Sequence, residues 1–361
     1  MKRAGRLYSK LIDRENIREA IIKSSKGKRS RKTVQYCLTH QEETIDKIVY
    51  ILEHGWRPSK PNTFVIYDQH RHKDRTISCP KYFPDQIIHH AIMQVLIPVF
   101  MKSMYAHSYG SIPGRGAHQA VKRVHKWMKN NRMDTKYCLQ LDISKYYRSI
   151  SHSLLRHALA MKIKDRKMLG ILFAFIRSYS EDIPNHSIPI GYYTSQWFAN
   201  FYLEELDHFI KEELRVKYYV RYMDDMLLFG RNKKILHLRR DQIEKRLNSM
   251  GLKFKDNWQL FNTRNRIVDF LGYKITRFGI TIRSETYLRV SRKIRRIKKK
   301  RIPTIDDYRS IASYKGVVDH TNCYKLKHTV NQLTRVTRKK VIANGGTEQF
   351  KTKPVRYLPE G

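Results

Sequence analysis

Two adjacent carboxylates, Asp224 and Asp225, lie between two apolar runs in residues 218–229. The runs predict the strands of a hairpin, and two charges at its tip are costly unless a cation lies beside them. A third carboxylate, Asp142, ends another apolar run that begins at Cys138. Carboxylates at the ends of neighbouring strands can hold two Mg²⁺ ions, which also accept water and phosphate oxygens as ligands. Two such ions stabilise the attacking and leaving oxygens of an in-line phosphoryl displacement, the chemistry of nucleotidyl transfer.

Adjacent acidic residues also occur by chance. A second pair in this chain, Asp306 and Asp307, can be compared with Asp224 and Asp225. This pair follows Pro303 and precedes a helical pattern. It is therefore predicted to occupy a helix N-terminus, where the helix dipole favours negative charge.

The elements that must position the three carboxylates lie between residues 137 and 273, where strand-like and helical patterns alternate. Upstream, the pattern predicts a helix over 41–53 and strands over 63–67 and 75–78. Residues 87–100 have a helical pattern, and the helix is expected to end at Pro98. Residues 289–301 contain nine basic residues in thirteen, followed by apolar residues at helical spacing. We therefore place a boundary near residue 283 and expect an all-helical basic domain beyond it.

The composition restricts the class of partner. The chain has 361 residues, 41% of them hydrophobic, which is enough for a buried core and excludes global disorder. Lys and Arg number 73 against 32 Asp and Glu, a formal net charge of +41. Such a surface favours a polyanion, above all nucleic acid, with an anionic membrane as the rival.

A membrane partner is not expected. The most apolar stretch, residues 91–101, is shorter than the roughly 20 residues of a spanning helix. The first residues lack the apolar core of a signal peptide. The sequence therefore predicts a soluble, cytoplasmic protein.

The motifs resemble those of reverse transcriptases, in order, from about residue 40 to about residue 330. LDISKYYRSI, with Asp142, resembles their first palm motif, and YMDD, with Asp224 and Asp225, the third. Residues 63–67 with Lys73 and Arg75 resemble the fingers motif that grips the incoming triphosphate. Further blocks are similar at residues 108–120, 188–196, 247–255 and 269–273, and residues 313–326 resemble the thumb. The resemblance implies an α+β fold of the right-hand polymerase type, with fingers and palm built from an antiparallel sheet packed on helices and with an α-helical thumb.

The resemblance also implies a division of the chain. Residues 1–40 would be a basic N-terminal extension and residues 41–283 the interleaved fingers and palm. Residues 284–345 would be the helical basic thumb, and residues 346–361 a disordered tail.

The activity implied is that of an RNA-directed DNA polymerase, with Asp142, Asp224 and Asp225 as catalytic residues and two Mg²⁺ ions as cofactors. The metal site would consist of Asp142, Ile143, Asp224 and Asp225. The residues expected to bind the dNTP are Lys73, Arg75, Arg115, Tyr147, Ile190, Gly191 and Lys255. The expected primer grip is Phe270, Leu271 and Gly272. The expected nucleic-acid-binding residues of the thumb are Arg292, Lys293, Arg295, Arg296, Lys298 and Lys299.

Several of these residues have a physical role in the implied reaction. Lys73, Arg75 and Arg115 would offset the charge of the triphosphate. Tyr147 would lie under the incoming sugar, where a 2′-hydroxyl would collide with its ring. Alternatively, Tyr147 is a core residue paired with Tyr146.

The block at residues 188–196 indicates which subfamily of reverse transcriptases the chain resembles. Retroviral and group II intron enzymes carry Gln-Gly and Ser-Pro there, whereas this chain has Ile190-Gly191 and Ser195-Gln196. This resembles the reverse transcriptases of diversity-generating retroelements, which copy RNA with frequent errors at adenines. Isoleucine can only pack where glutamine can hydrogen-bond near the nascent base pair, which implies weaker discrimination. The alternatives are an antiviral defence reverse transcriptase acting with a noncoding RNA and a catalytically silent RNA-binding protein with a polymerase fold.

The basic run at 289–301 could be a localisation signal, a solvated helix or a clamp on the template and primer. The palm motifs favour the clamp, because a thumb must follow a duplex backbone without reading sequence. The 16 residues that follow the expected thumb in this sequence are too few for a nuclease domain, so none is expected here. The expected partners are template RNA, a primer-cDNA duplex and dNTPs, together with a structured noncoding RNA and a small accessory protein that the resemblance implies.

Overall fold

The computed structural model describes residues 3–68, 73–181 and 183–344. The chain divides into two compact units. The first consists of residues up to 115, 139–228 and 234–259, and the second of residues 116–138, 229–233 and those from 260 onward. The tail predicted at 346–361 lies outside the described residues.

The helices alternate with strands through the middle of the chain, as the sequence pattern predicts. In chain order they are α1 Leu7–Leu11, α2 Arg14–Ser25, α3 Lys32–Thr39, α4 Gln41–Glu53, α5 Ile87–Met101, α6 Ala117–Asn130, α7 Tyr146–Ser149, α8 His152–Lys162, α9 Arg166–Arg177, α10 Tyr193–Tyr202, α11 Glu204–His208, α12 Lys233–Ser249, α13 Ser284–Lys298, α14 Ile305–Val318 and α15 Tyr324–Ala343.

The strands form three sheets in the described part of the chain. They are β1 Asn62–Asp68, β2 Lys73–Cys79, β3 Tyr137–Asp142, β4 Tyr218–Tyr222, β5 Asp225–Gly230, β6 Gln259–Asn262, β7 Val268–Phe270, β8 Tyr273–Ile275 and β9 Ile280–Ile282. The sheet orders are β1-β2, β4-β5-β3-β6 and β7-β8-β9. The pairs β1-β2, β7-β8 and β8-β9 are antiparallel.

Helix α5 is central to the core of the first unit, where it packs against α1, α2 and α10. The prediction that this helix ends at Pro98 is wrong, because it continues to Met101. Proline removes one helical hydrogen bond, but Pro98 lies on the exposed side of α5, where water can solvate the carbonyl that loses its partner. Burial of the apolar side chains around it therefore keeps the helix intact.

The described part of the predicted N-terminal extension, residues 3–40, forms α1 to α3. Its apolar side chains Leu11, Ile17 and Ile21 are completely buried. Asp165 accepts hydrogen bonds from the backbone N–H groups of Leu7 and Tyr8, both at 2.8 Å, and also caps α9. These contacts attach the first helices to the first unit.

In the second unit, α14 packs against both α13 and α15. The helix N-terminus predicted at Asp306 and Asp307 is present as a capping box between Thr304 and Asp307. Burial alone would raise the pKa of Asp307, but hydrogen bonds from Lys300, Thr304 and Lys293 hold this pKa well below its ordinary value. None of the described helices is long and apolar enough to cross a membrane.

Candidate active site

The YMDD segment forms the tight turn between β4 and β5. Strand β4 ends at Tyr222, β5 begins at Asp225, and Met223 between them has a φ of 53°. Strand β3, which ends at Asp142, is the neighbour of β5 in the sheet. The predicted hairpin and the predicted strand before Asp142 are therefore both present, on adjacent strands.

Asp142 is held by the segment that contains Lys255. The backbone N–H of Lys255 donates to the Asp142 carbonyl at 2.8 Å, and its ammonium forms an ion pair with Oδ2 of the Asp142 side chain. Ile143 pairs with Phe254 in an antiparallel bridge. The other carboxylate oxygen, Oδ1 of Asp142, is buried and accepts no hydrogen bond from the described residues. A buried carboxylate oxygen without a donor is rare and fits a bound cation.

The donor set suits a hard divalent ion, because carboxylates are the ligands that Mg²⁺ prefers in proteins. No three Asp, Glu, His or Cys side chains within residues 3–68, 73–181 and 183–344 are close enough together to hold a metal ion as they stand. In this structure the Lys255 ammonium supplies the positive charge that pairs with the Asp142 carboxylate.

The structure separates the roles of Tyr146 and Tyr147. Tyr146 is buried, and its hydroxyl donates to the carbonyl of Ala199. Tyr147 is half-buried, and its ring meets that of Tyr146 edge-on at 5.9 Å. Burial raises the pKa of Tyr147, and the negative charge of Asp224 adds to this effect. The core position therefore belongs to Tyr146, and Tyr147 lies within the electrostatic reach of Asp224.

A buried polar network supports the YMDD turn from beneath. Arg221 and Asp207 are both completely buried and form an ion pair at 2.5 Å. Arg221 also donates to the Met223 carbonyl at 3.1 Å and to the side chain of Asn200 at 3.0 Å. Tyr219 donates to Asp207 at 2.7 Å. Although burial alone would lower it, the Asp207 carboxylate raises the pKa of Arg221 above its ordinary value, so this guanidinium stays charged.

Gly110 lies against the same turn. A Cβ atom at Gly110 would lie 2.6 Å from Cγ, 2.7 Å from Sδ and 2.8 Å from the backbone nitrogen of Met223. The Gly110 carbonyl accepts a hydrogen bond of 2.6 Å from Asn200, and the Tyr109 N–H donates to the Arg221 carbonyl at 2.9 Å. Only glycine permits this approach of the 105–115 loop to the YMDD turn.

Gly191 has an equivalent role beside β2. Its φ is +115°, and a Cβ atom there would lie 2.4 Å from the Ser78 carbonyl oxygen. The Ser78 N–H donates to the Ile190 carbonyl at 2.7 Å. These contacts attach strand β2 to residues 188–191. Strand β2 begins at Lys73 and carries the half-buried Arg75.

The side chain of Arg115 stabilises the 105–115 loop. Its guanidinium donates to the carbonyls of Tyr105 and Ser108, at 2.7 and 3.1 Å, and so closes the loop that contains Gly110. The expectation that Arg115 binds the triphosphate stays a prediction.

The predicted primer grip lies in the second unit, in the turn between β7 and β8. Phe270 is buried and pairs with Tyr273, while Leu271 and Gly272 form the two-residue turn with φ values of 53° and 83°. Positive φ at both positions is typical of the tight turns that join antiparallel strands.

Most of the predicted nucleic-acid-binding residues of the second unit lie on the exposed side of α13. The buried side consists of Val290, Ile294 and Ile297. Lys293 is the exception, because it is half-buried and its ammonium donates to Asp307 at 3.0 Å. The exposed basic residues are Arg292, Arg295, Arg296, Lys298 and Lys299.

Sequence reasoning did not identify Arg221, Asp207 or Gly110. One signal for Arg221 was available, since a charged residue inside an otherwise apolar strand is almost never buried without a partner. The partner itself, Asp207, lies on a helix that the sequence does not connect to β4.

Comparison with known proteins agrees with the motifs. Residues 60–275, more than half of the chain, match the family described as reverse transcriptase (RNA-dependent DNA polymerase). The group II intron-encoded protein LtrA of Lactococcus lactis subsp. cremoris is 29% identical over 183 residues, which are 49% of this chain and 30% of LtrA. Protein YkfC of Escherichia coli (strain K12) is 24% identical over 134 residues, 36% of this chain and 35% of YkfC. These matches span about a third of the length of either relative.

A solved structure of telomerase from Candida albicans, in complex with the TWJ fragment of telomeric RNA, resembles this chain in fold. The TM-score is 0.53 at 14% identity, covering 86% of this chain and 59% of the telomerase chain. The predicted α+β fold of the right-hand polymerase type is thereby confirmed. With the YMDD turn beside the strand that ends at Asp142, and with the family match over residues 60–275, the chain belongs to the reverse transcriptase (RNA-dependent DNA polymerase) family.

Proposed function

We propose that this protein is an RNA-directed DNA polymerase that copies an RNA template into cDNA. The observation that carries the proposal is the buried Oδ1 of Asp142, which accepts no hydrogen bond within the described part of the chain and lies on the strand adjacent to the YMDD turn. Glu204 also has a buried carboxylate oxygen without a donor, but Asp142 differs in its position on the strand next to the YMDD turn. A divalent cation bound there would satisfy the Asp142 oxygen and would serve a cation-dependent transferase.

Asp142, Asp224 and Asp225 would hold two divalent ions, expected to be Mg²⁺, with Ile143 beside them. The chemistry that the ions supply when bound is stabilisation of charge on the attacking and leaving oxygens of the phosphoryl displacement. The primer 3′-hydroxyl attacks the α-phosphate of the dNTP, and pyrophosphate leaves. The Arg221 network holds the backbone of the YMDD turn, so that Asp224 and Asp225 keep their direction during the reaction.

The dNTP site of the proposal is built from basic residues around the carboxylates. Lys73 and Arg75 lie on β2, which Gly191 and Ile190 attach to the first unit. Lys255 pairs with Asp142 and could exchange this carboxylate for the triphosphate when substrate binds. Charge-assisted contacts of this kind position a triphosphate and offset its charge.

Tyr147 is proposed as the residue that excludes ribonucleotides. Its ring is half-buried and within the electrostatic reach of Asp224, in contrast to the fully packed Tyr146. A ring in this position would collide with a 2′-hydroxyl and would favour deoxynucleotides.

Two features of the second unit are proposed to hold the nucleic acid. Phe270, Leu271 and Gly272 would hold the primer strand, and the exposed arginines and lysines of α13 would follow the phosphate backbone. The proposed ligands are the template RNA and the primer-cDNA duplex.

The proposed subtype is a diversity-generating retroelement reverse transcriptase with error-prone copying. Ile190 and Gly191 in place of Gln-Gly support this subtype, as argued from the sequence. Its expected partners are a structured noncoding RNA and a small accessory protein. The second candidate is an antiviral defence enzyme with the same chemistry, and a catalytically silent RNA-binding protein is the third.

Primer extension on an RNA template with Mg²⁺ and dNTPs tests the activity. The protein should be purified with the RNA and proteins that accompany it in the cell, because the proposed function includes an accessory RNA. We expect DNase-sensitive product from the wild-type protein, none from Asp224→Ala, and wild-type amounts from Asp306→Ala, an exposed acid at a helix N-terminus. RNA binding without any extension by the wild-type complex would indicate the silent protein instead.

A further inference from the structure

Two turns of the second unit line a surface cavity of about 300 Å³. They are residues 263–267, between β6 and β7, and residues 276–278, between β8 and β9. Together we call them the Arg-Phe surface. Its eight residues include Arg264, Arg266 and Arg277 and no acidic side chain.

Phe278 is the most exposed large hydrophobic side chain in the described part of the chain, at 85%. The turn beneath this ring is ordered by hydrogen bonds. Thr276 Oγ1 accepts from the N–H groups of Phe278 and Gly279, both at 3.2 Å, and the Thr276 N–H donates to the Gly279 carbonyl at 3.0 Å. The apolar face of the ring is therefore presented to solvent by a defined backbone.

The arginines lie beside aromatic rings. The Arg277 guanidinium is 5.9 Å from the centre of the Phe278 ring, and that of Arg266 is 5.0 Å from the Phe261 ring. The Arg264 N–H donates to the Asn262 side chain and the Arg266 N–H to the Asn262 carbonyl, both at 3.0 Å. Positive charge and an exposed ring are thus both fixed around the cavity.

We infer that the Arg-Phe surface binds unpaired RNA, with a base stacked on Phe278 and the neighbouring phosphates on Arg264 and Arg266. Aromatic rings beside arginines bind single strands in this way, because each unpaired base offers a free face and each phosphate a negative charge. In a duplex the faces of the bases are already covered by their neighbours. A cavity at the small end of the range for ligand sites suits one base at a time. The inference takes from the proposed function only that the protein handles nucleic acid.

Fluorescence anisotropy with the full chain and a labelled uridine oligonucleotide of about 12 nucleotides tests this surface. A blunt RNA duplex of the same length serves as the second probe. We expect Phe278→Ala to weaken single-strand binding by roughly 5- to 150-fold, the loss that follows from about 1–3 kcal/mol per stacked base, and to leave duplex binding unchanged. Phe278→Trp should retain the affinity. Tyr50→Ala, which removes an exposed ring from the helix that carries Glu42 and Glu43, is the matched control and should bind as wild type.

The arginines are tested by the salt dependence of the same binding. The double variant Arg264→Gln/Arg266→Gln should lower the slope of log K against log salt by about 1.4, since each single-strand phosphate contact contributes about 0.7. A 4-thiouridine oligonucleotide should form its crosslinks within residues 263–278, as mapped by mass spectrometry.

Three results would overturn the inference. These are unchanged single-strand affinity in Phe278→Ala, an equal loss on both probes, and crosslinks that all lie elsewhere. If Phe278→Ala instead dissociates a dimer of the chain in light scattering while RNA affinity is unchanged, the ring is covered by protein and not by RNA. No dNTP is added in these experiments, so they report on this surface whether or not the protein polymerises.

Discussion

Arg221 donates hydrogen bonds to both carboxylate oxygens of Asp207, and neither side chain is exposed to solvent. The same guanidinium reaches the carbonyl of Met223, immediately before Asp224. The pair therefore connects the interior of the first unit to the backbone that carries two of the proposed catalytic carboxylates.

Removing one partner of this pair should be strongly destabilising. Arg221→Met leaves Asp207 buried without a counter-charge, and we expect a loss of about 3–5 kcal/mol in the free energy of unfolding. Urea unfolding measures this loss. The double variant Arg221→Met/Asp207→Leu should cost less than the sum of the two single variants, because no charge is then left unpaired. Strictly additive costs would show that the pair is not coupled.

Gly110→Ala should disturb the YMDD turn. The new Cβ would overlap the backbone nitrogen of Met223 as well as its side chain, so a change of rotamer cannot relieve the contact. We expect a destabilisation of about 1–3 kcal/mol and a lower kcat in primer extension. Gly170→Ala is the control, since no described atom beyond the neighbouring backbone of α9 lies within 4 Å of its Cβ position, and alanine favours a helix by about 0.5–1 kcal/mol. Similar losses in both variants would contradict this assignment.

Lys255→Gln should increase the affinity of the carboxylates for a divalent ion. The ammonium of Lys255 competes with a metal for Oδ2 of Asp142, and both side chains are partly exposed, at 30% and 22%. An ion pair of this exposure contributes up to about 1 kcal/mol, so we expect Mn²⁺ binding without nucleotide to tighten by about two- to fivefold. Titration followed by electron paramagnetic resonance measures it. Weaker Mn²⁺ binding in Lys255→Gln would mean that the lysine orients Asp142 for the ion.

Ile190→Gln should raise copying fidelity. The backbone carbonyl of Ile190 holds Ser78, so the exchange of its half-buried side chain leaves that hydrogen bond in place. A glutamine could hydrogen-bond near the nascent base pair and reject mismatches more strongly. Sequencing of cDNA made on an adenine-rich template gives the error frequency. If errors opposite adenine are as frequent as in the wild type, the side chain at 190 does not set fidelity.

Acid should destabilise the first unit through His89. Burial, with a smaller effect from His90, lowers the pKa of His89 from 6.5 to about 3. Below pH 6.5 the unfolded chain therefore binds a proton that the folded chain does not, and stability falls as the pH falls. This costs about 1.4 kcal/mol at pH 5.5 relative to pH 7.5. Urea unfolding at both pH values should show a smaller difference for His89→Gln than for His157→Gln, an exposed histidine of α8.

Local patterns predicted the elements well where one face of an element is buried. Helix α4 has the predicted bounds, and the capping box at Asp307 follows from a helix start that the sequence itself indicates. Pro98 misled the prediction of α5, because burial along the helix outweighs one lost hydrogen bond. Prediction of an element from local sequence thus fails where the free energy of tertiary packing exceeds that of the local backbone preference.

The candidate site was predictable only in part. The three aspartates were predicted from strand-end spacing and from the family motifs, and the structure has them on adjacent strands and the turn between β4 and β5. The Arg221–Asp207 pair and the contact of Gly110 with Met223 depend on which distant segments meet, and no spacing in the sequence encodes this. The ion pair of Lys293 with Asp307 has the same origin, since a basic helix alone does not show which lysine is internally neutralised.

Strand β2 is attached at position 190 through the main-chain carbonyl of Ile190, so this attachment does not depend on the side chain at that position. The side chain at position 190 can therefore change while the strand stays anchored by the same main-chain oxygen atom. If Ile190→Gln raises fidelity as predicted above, substitutions at position 190 can tune copying accuracy without loosening β2, whereas its neighbour Gly191 must be left unaltered.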